Sequence, residues 1–260
     1  ETADRNQTGG AAIVTAASPL IIASDITVGG NLTLTASGSA VDATDDVTIA
    51  AVVTLASTTV ATVRVDAGDD IVFNGGLIVA SGAAHTVELF ADTESNLGDG
   101  GGGQISQIGP QTSVTAANLA LNASQSVGAG ASLKTNVQSV QVNVGSIDLQ
   151  NVAGLSIAGG TVATNMSIVA ETGSISDAGP LLVGDSAQFE TLTANETITL
   201  DELNVTGSIA LFTQGASGHA TIVNTTQVDL AASSIGGDLD VRATTGGVTD
   251  SGTVTVGGAS

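Results

Sequence analysis

The dominant pattern along this chain is an alternation of apolar and polar residues with a period of two. Val, Ile, Leu or Ala alternate with Thr, Ser, Asp or Asn in short runs, for example at residues 32–36, 140–144 and 166–170. This period is typical of β-strands that bury one face. Gly, Asn, Asp and Ser separate the runs and favour turns. The pattern therefore predicts an all-β protein built from many short strands.

Internal repeats choose among the all-β folds. Residues 41–57 align without a gap to residues 65–81, with 7 identities in 17 positions at an offset of 24, and residues 166–186 match residues 239–259 at 7 of 21 positions. A repeat of this size cannot bury its own apolar face, so neighbouring repeats must stack. We expect one continuous β-solenoid over residues 1–260 with roughly 10–12 coils. An inserted loop is expected at residues 93–103.

Composition separates this fold from its main alternative, a series of tandem β-sandwich domains. The chain is 42% hydrophobic and contains 34 Gly, but only 2% of its residues are aromatic. β-Sandwich cores are normally organised around large rings, whereas the narrow interior of a solenoid suits small aliphatic side chains. The composition therefore favours the solenoid.

Charge excludes two classes of partner. Four Lys and Arg residues stand against 25 Asp and Glu residues, which gives a formal net charge of −21. Binding to nucleic acid or to an anionic membrane needs clustered basic residues. The longest apolar stretch, residues 11–24, is broken by polar residues and by Pro19 and is too short to span a bilayer. We therefore expect no nucleic-acid partner and no membrane insertion. The absence of Cys also excludes a disulfide scaffold.

Three segments carry a resemblance to a known class of proteins. They are VGGNLTLTASGSAVDATDDVTI (28–49), NMSIVAETGSISDAGPLLVGDS (165–186) and SIGGDLDVRATTGGVTDSGTVTVGGA (234–259). They resemble the strand repeats of filamentous-haemagglutinin-like and autotransporter-type bacterial surface proteins. The resemblance implies a right-handed parallel β-helix, export to the cell surface, and a role as a fibre or adhesive stalk. The Asn-Pro-Asn-Gly-type signature of the secretion module in such proteins is not matched, because the sequence contains no Asn-Pro pair.

This reading predicts a non-enzymatic structural or adhesive segment of an extracellular filament. Its expected partners are copies of itself or adjacent repeats, stacked end to end along the solenoid axis, and glycans or proteins on a host or neighbouring cell. The copy ending at Ser260 stops before the strand that follows in its sister copy, so we expect the segment to belong to a longer repetitive chain.

A carbohydrate-active enzyme, either a polysaccharide lyase or a hydrolase, is the first alternative, because parallel β-helices host both. The sequence contains no GxSxG motif. His85 and His219 lie among small residues and are interpreted as solvated turn histidines. The basic residues needed beside a carboxylate cluster in a lyase are few and far apart. We therefore predict no catalytic residues, although carboxylate pairs for glycoside hydrolysis depend on a distance that sequence does not give.

A calcium-stabilised β-roll of the RTX type is the second alternative. The segment GDDIVFNGG (68–76) resembles one RTX nonapeptide, but it is not repeated every nine residues. If the offset of 24 is one coil, Asp45 stacks on Asp69 and Asp46 stacks on Asp70, and their like charges repel. Bound Ca²⁺ relieves such repulsion. These four carboxylates are the candidate metal ligands, with an ordinary acidic turn as the competing interpretation and no other cofactor expected.

Asn-x-Ser/Thr triplets raise the question of glycosylation. The sequence contains seven, and alternating polar strands rich in Asn and Thr produce such triplets by composition alone. In a secreted chain they are also acceptors for glycans. They begin at Asn6, Asn31, Asn122, Asn165, Asn195, Asn204 and Asn224.

Overall fold

A computed structural model describes residues 6–7, 10–17, 19–36, 45–82, 84–92 and 102–260. Those residues form 27 β-strands and contain no helix, and the strand pairs are parallel. Parallel pairing excludes the sandwich alternative, because β-sandwiches pair their strands antiparallel. The chain divides into unit 1, Glu1–Val137, and unit 2, Gln138–Ser260. Each unit is a parallel β-solenoid, and together they contain about eleven turns, as the repeat pattern predicts.

Unit 1 is built from short strands separated by tight turns. They are β1 (Asn6–Gln7), β2 (Ala12–Ala16), β3 (Leu20–Ile22), β4 (Ile26–Val28), β5 (Leu32–Ala36), β6 (Val47–Ile49), β7 (Val52–Leu55), β8 (Thr62–Ala67), β9 (Ile71–Asn74), β10 (Leu77–Ala80), β11 (Thr86–Ala91), β12 (Ile105–Ile108) and β13 (Val114–Val127).

The strands of unit 1 form three parallel stacks, and the long strand β13 contributes to more than one of them. The first stack runs β2–β5–β8–β11–β13, the second β3–β6–β9–β12, and the third β1–β4–β7–β10–β13. In the first stack, aligned positions are separated by 20, 31, 24 and 32 residues, running from Ala12 through Leu32, Val63 and Val87 to Leu119. Coil length therefore varies, and the offset of 24 is one coil.

The gapless alignment of residues 41–57 with 65–81 is wrong in its second half. Val47 pairs with Ile71 at an offset of 24, but Val52 pairs with Leu77 at an offset of 25. The extra residue lies within the segment formed by Asn74, the last residue of β9, and the two turn residues Gly75 and Gly76. Because the strands on both sides keep their buried positions, the turn absorbs the insertion and the core is unchanged.

Unit 2 follows the same plan. Its strands are β14 (Leu133–Asn151), which begins in unit 1, β15 (Leu155–Val162), β16 (Met166–Ala170), β17 (Ile175–Asp177), β18 (Leu181–Val183), β19 (Ala187–Thr191), β20 (Ile198–Val205), β21 (Ser208–Phe212), β22 (Ala220–Asn224), β23 (Val228–Leu230), β24 (Ser233–Ile235), β25 (Leu239–Ala243), β26 (Val248–Asp250) and β27 (Val254–Val256).

The coils of unit 2 are shorter than 24 residues. One ladder joins Leu155, Ile175, Ile198, Ala220 and Leu239 at separations of 20, 23, 22 and 19 residues. The sequence match between 166–186 and 239–259 does not follow these coils, because β16 stacks with β14 and β19 whereas β25 stacks with β22. The two segments therefore share a similar order of strands and turns, but their matching strands belong to different stacks.

The core consists of aliphatic ladders that run from coil to coil. Strand β5 shows the alternating burial that the period of two predicts, and its inward positions continue in β8, β11 and β13. Each buried Val, Leu or Ile in these ladders contributes about 1.5–3 kcal/mol through the hydrophobic effect. Phe73 and Phe189 are the largest fully buried side chains in the described residues. One ladder is Leu34, Val65, Leu89 and Leu121, all at most 2% exposed.

Buried polar side chains close some of the turns. Asn224 is fully buried at the end of β22, where its Oδ1 accepts the Val205 N–H at 2.8 Å. Its Nδ2 donates to the carbonyl oxygens of Val205 at 2.9 Å and Gln227 at 2.7 Å. A buried amide with these partners supplies bonds that the bent backbone cannot make within the strand ladder.

Replacing Asn224 with Leu is expected to lower the free energy of unfolding by about 1–3 kcal/mol, because backbone groups of Val205 and Gln227 lose buried partners. Chemical denaturation followed by circular dichroism measures the change. Thr225→Ala, at the exposed next position, is the matched control and is expected to change stability by less than about 0.5 kcal/mol. Equal midpoints for the two variants contradict this role of Asn224.

The predicted insertion at 93–103 lies outside the described residues except for Gly102 and Gly103. The continuity of one solenoid over residues 1–260 and the right-handed sense of the β-helix stay predictions.

Candidate functional site

The four aspartates singled out as metal ligands lie at one corner of unit 1. The pairing of Val47 with Ile71 places Asp45 next to Asp69 and Asp46 next to Asp70, one coil apart. The Asp69 N–H also donates to the Asp45 carbonyl oxygen at 3.2 Å. The predicted placement of these residues one coil apart is therefore confirmed. The four side chains form two ladders, one buried and one partly exposed.

The outer ladder, Asp46 and Asp70, binds backbone of the following coil. Oδ1 of Asp46 accepts the Asp70 N–H at 3.2 Å, and Oδ1 of Asp70 accepts the Gln104 N–H at 2.7 Å. Burial raises the pKa of both carboxyls above the ordinary value, each backbone N–H opposes the rise, and the neighbouring carboxylate adds to it. Each outer carboxylate therefore already accepts a backbone N–H, and this bond gives it a structural role.

The inner ladder is more deeply buried. Asp45 is 4% exposed and Asp69 is 9% exposed. Oδ1 of Asp45 is buried and accepts no hydrogen bond, which is costly for a carboxylate. A Cβ at Gly68 would lie 2.8 Å from the Asp45 Cβ, so only Gly fits at this position.

The calcium interpretation requires several carboxylates to converge on one point. Among the residues that the structure describes, no group of three or more His, Asp or Glu side chains is arranged to hold a metal ion. The stacking brings Asp46 and Asp70 close, but each turns one oxygen toward a backbone N–H. Calcium binding by these residues stays a prediction.

Asp177 in unit 2 also binds backbone N–H groups of the following coil through its carboxylate. It receives the N–H of Asp201 on Oδ1 at 3.0 Å and the N–H of Glu202 on Oδ2 at 2.9 Å. Both donors lie at an irregularity in β20, where the pairing shifts between Leu200 and Leu203. Burial is the main cause of the raised pKa of Asp177, and these two N–H groups oppose it. The carboxylate satisfies donors that the irregular strand leaves unpaired.

The raised pKa values predict how stability depends on pH. Asp46, Asp70 and Asp177 have folded-state pKa values above the reference value of 3.8, so the folded chain binds protons that the unfolded chain has released. The stability they contribute is complete below pH 3.8 and is lost as pH rises through the raised values. We expect the urea midpoint to increase as pH falls from about 7 toward that value.

The matched variant for this test replaces both Asp46 and Asp70 with Asn, since each accepts a single backbone N–H through one oxygen. Their ionisation is then removed while an acceptor remains. The variant should show a smaller gain in midpoint on acidification than the unaltered chain. A midpoint that falls between about pH 7 and pH 5 in the unaltered chain contradicts the prediction.

An ion-pair cluster on the first stack of unit 1 was missed by the sequence reading. Arg64 Nε lies 2.8 Å from Asp66 Oδ2, its NH2 lies 2.7 Å from Asp66 Oδ1, and its NH1 lies 3.2 Å from Glu88 Oε2. Its Cζ lies 4.0 Å from the centre of the Phe90 ring. The offset of 24 already places Arg64 beside Glu88 and Asp66 beside Phe90, so the repeat could have revealed this cluster.

The two histidines differ from each other. His219 lies in a turn with its side chain 45% exposed, as predicted, and its Nδ1 accepts the Asp238 N–H at 2.8 Å. The solvated interpretation is wrong for His85, which is fully buried. Its Nδ1 accepts the Ala61 N–H of the preceding coil at 3.1 Å, and its Nε2 is buried without a partner. The side chain is held inside because it pairs this buried backbone group.

Burial also separates the glycosylation triplets. Asn224 is fully buried and bonded on both side-chain atoms, so the folded chain cannot present it to a transferase. Asn31, Asn165 and Asn195 are exposed, and their Oδ1 atoms accept backbone N–H groups of the next coil. Modification at the triplets other than Asn224 stays a prediction. The side chain of Asn6 lies outside the described part of the chain.

Comparison with known proteins gives a match for part of the chain. Residues 143–213 and 217–260 match a family described as repeats of unknown function (DUF5649). Both ranges lie within unit 2, and they agree with its repetitive coils. No curated protein and no solved structure matches the chain significantly. Among the described residues, no helix is long and apolar enough to cross a membrane.

Proposed function

We propose that this chain is a structural segment of an extracellular filament, exposed on a cell surface and able to act as an adhesive stalk. The observation that carries the proposal is the coil-on-coil stacking of parallel strands in each unit, which repeats one small structural element many times. Repeat proteins of this type are extended and gain stability from nearest-neighbour contacts. The family match to repeats supports the same reading.

Growth along the solenoid axis is the proposed mode of assembly. Each coil bonds to the next through strand backbone, and the same bonds can be made by a coil of adjacent repeats or of another copy. The net charge of −21 disfavours side-by-side association at low salt, because like-charged surfaces repel over the Debye length. The proposed partners are therefore copies of this chain or neighbouring repeats, together with surface glycans or proteins of another cell.

The location is supported by the resemblance of the strand repeats to bacterial surface proteins. Labelling intact cells of the source organism with an antibody against this chain tests it. We expect surface labelling that protease treatment of whole cells removes. Labelling only after the cells are broken open contradicts the proposed location.

Assembly is tested with the purified chain by sedimentation velocity and electron microscopy over a series of concentrations. We expect linear particles one solenoid wide. A Val254→Pro variant removes from β27 a backbone N–H that faces away from the paired strand β24, and it should shorten the particles because Pro cannot donate to a strand ladder. Ser260→Pro, outside any strand, is the control. Monomers at every concentration contradict axial stacking.

A further inference from the structure

The turn that holds the extra residue between β9 and β10 has an unusual sequence. Asn74 is followed by Gly75, and this is the only Asn-Gly pair in the chain. Asn74 and Gly75 are exposed, whereas Gly76 is buried. Both residues of the pair are therefore in contact with solvent.

The groups in this turn make few contacts. Asn74 ends β9 and its backbone pairs with Ile108, but its side chain forms no hydrogen bond with the other described residues. Gly75 has a φ of +78°, and apart from its chain neighbours no atom lies within 4 Å of the position that a Cβ would take. By contrast, the amides of Asn31 and Asn224 are fixed by hydrogen bonds to other coils. The Asn74 side chain is thus free to approach the following peptide nitrogen.

We propose that Asn74 is a site of spontaneous covalent modification, by cyclisation onto the Gly75 nitrogen. The Gly75 nitrogen loses its proton and attacks the Asn74 Cγ, so that a C–N bond forms and the side-chain nitrogen leaves as ammonia. Water then opens the resulting succinimide ring at one of its two carbonyl carbons. Opening at one carbonyl gives Asp, and opening at the other gives isoaspartate, in which the backbone runs through the former side chain.

Gly at position 75 favours this reaction because no side chain hinders the attacking nitrogen. The positive φ also shows that the turn uses conformations that other residues rarely adopt. Both products add one carboxylate to a chain that already carries a net charge of −21.

The isoaspartate product changes the length of the backbone in a turn that has no spare room at its next residue. A Cβ at Gly76 would lie 2.5 Å from the Ile49 carbonyl oxygen and 2.6 Å from the Ala51 N. The turn also follows directly on Phe73, which is fully buried. An added methylene group therefore strains the stacking of β9 and β10 on the preceding coil. We expect the modified chain to melt at a lower temperature.

Peptide mapping by mass spectrometry tests the proposal on the folded chain. Samples are incubated at neutral and at mildly alkaline pH, and Asp and isoaspartate at position 74 are separated from Asn chromatographically. We expect both products to accumulate at Asn74, faster at the higher pH because the attacking nitrogen must lose a proton. Asn31 is the internal control, since it is exposed, precedes Leu32 and has its Oδ1 bonded to the Thr62 N–H.

An Asn74→Gln variant separates this reaction from general ageing, because its longer side chain does not form the five-membered ring readily. Incubation should lower the melting temperature of the unaltered chain more than that of the variant. Asn74 that stays intact in the folded chain, while the urea-unfolded chain converts, overturns the proposal. Equal conversion at Asn31 and Asn74 also overturns it, since the turn then confers no selectivity.

Discussion

Replacing Val142 with Asp is expected to lower the free energy of unfolding by about 3–5 kcal/mol, the cost of a buried charge without a partner. Val142 is fully buried in β14, and its ladder continues through Gly160, Leu181 and Leu203. Since domains are stable by only about 5–15 kcal/mol, this change removes a large share of that stability. Denaturant midpoints at neutral pH measure it.

The control for this substitution is Gln141→Asp, which places the same carboxylate one residue out of phase on the exposed face of β14. It is expected to change stability by less than about 0.5 kcal/mol. If Val142→Asp does not fold, Val142→Ala still tests the ladder, with an expected cost on the order of 1–3 kcal/mol. A larger effect at Gln141 than at Val142 shows that the register of β14 is wrong.

The alternation of apolar and polar residues with a period of two predicted most of the fold. Because side chains in a strand alternate between faces, Leu32, Leu34 and Ala36 had to share one face, and the structure buries all three. Low aromatic content then favoured a narrow interior. The coil length was less accessible, since turns absorb insertions without altering the core. The additional residue at Gly75 and Gly76 moved the pairing of β10 without moving its buried side chains.

The candidate site was predicted only in part. A sequence repeat shows which residues lie next to each other, but it does not show which groups their side chains bind. The offset of 24 placed Asp45 next to Asp69 and Asp46 next to Asp70, and the register confirms it. It did not show that Asp46 and Asp70 bond to the backbone of the following coil. The buried position of His85 depends on one backbone N–H, that of Ala61, which has no signal in the sequence.

Backbone geometry identifies a second position of large effect, Gly160 in β15. It has a φ of +129°, in a region that is accessible essentially only to Gly, and a Cβ there would overlap the carbonyl oxygen of Val142. The strand pairing places Gly160 directly on Val142, next to the register shift between Val140 and Gln141. Both the conformation and the close approach of two coils therefore require the absence of a side chain.

Gly160→Ala is expected to cost at least about 3 kcal/mol, because it adds a clash with backbone to the strain of a positive φ. Gly130→Ala isolates the strain: Gly130 has a φ of +80°, but no atom outside its chain neighbours lies within 4 Å of its Cβ position. That control should cost only about 1–2 kcal/mol. Chemical denaturation of the two variants measures both values. Equal losses mean that the two coils separate easily at Gly160 and that their close contact adds little to stability.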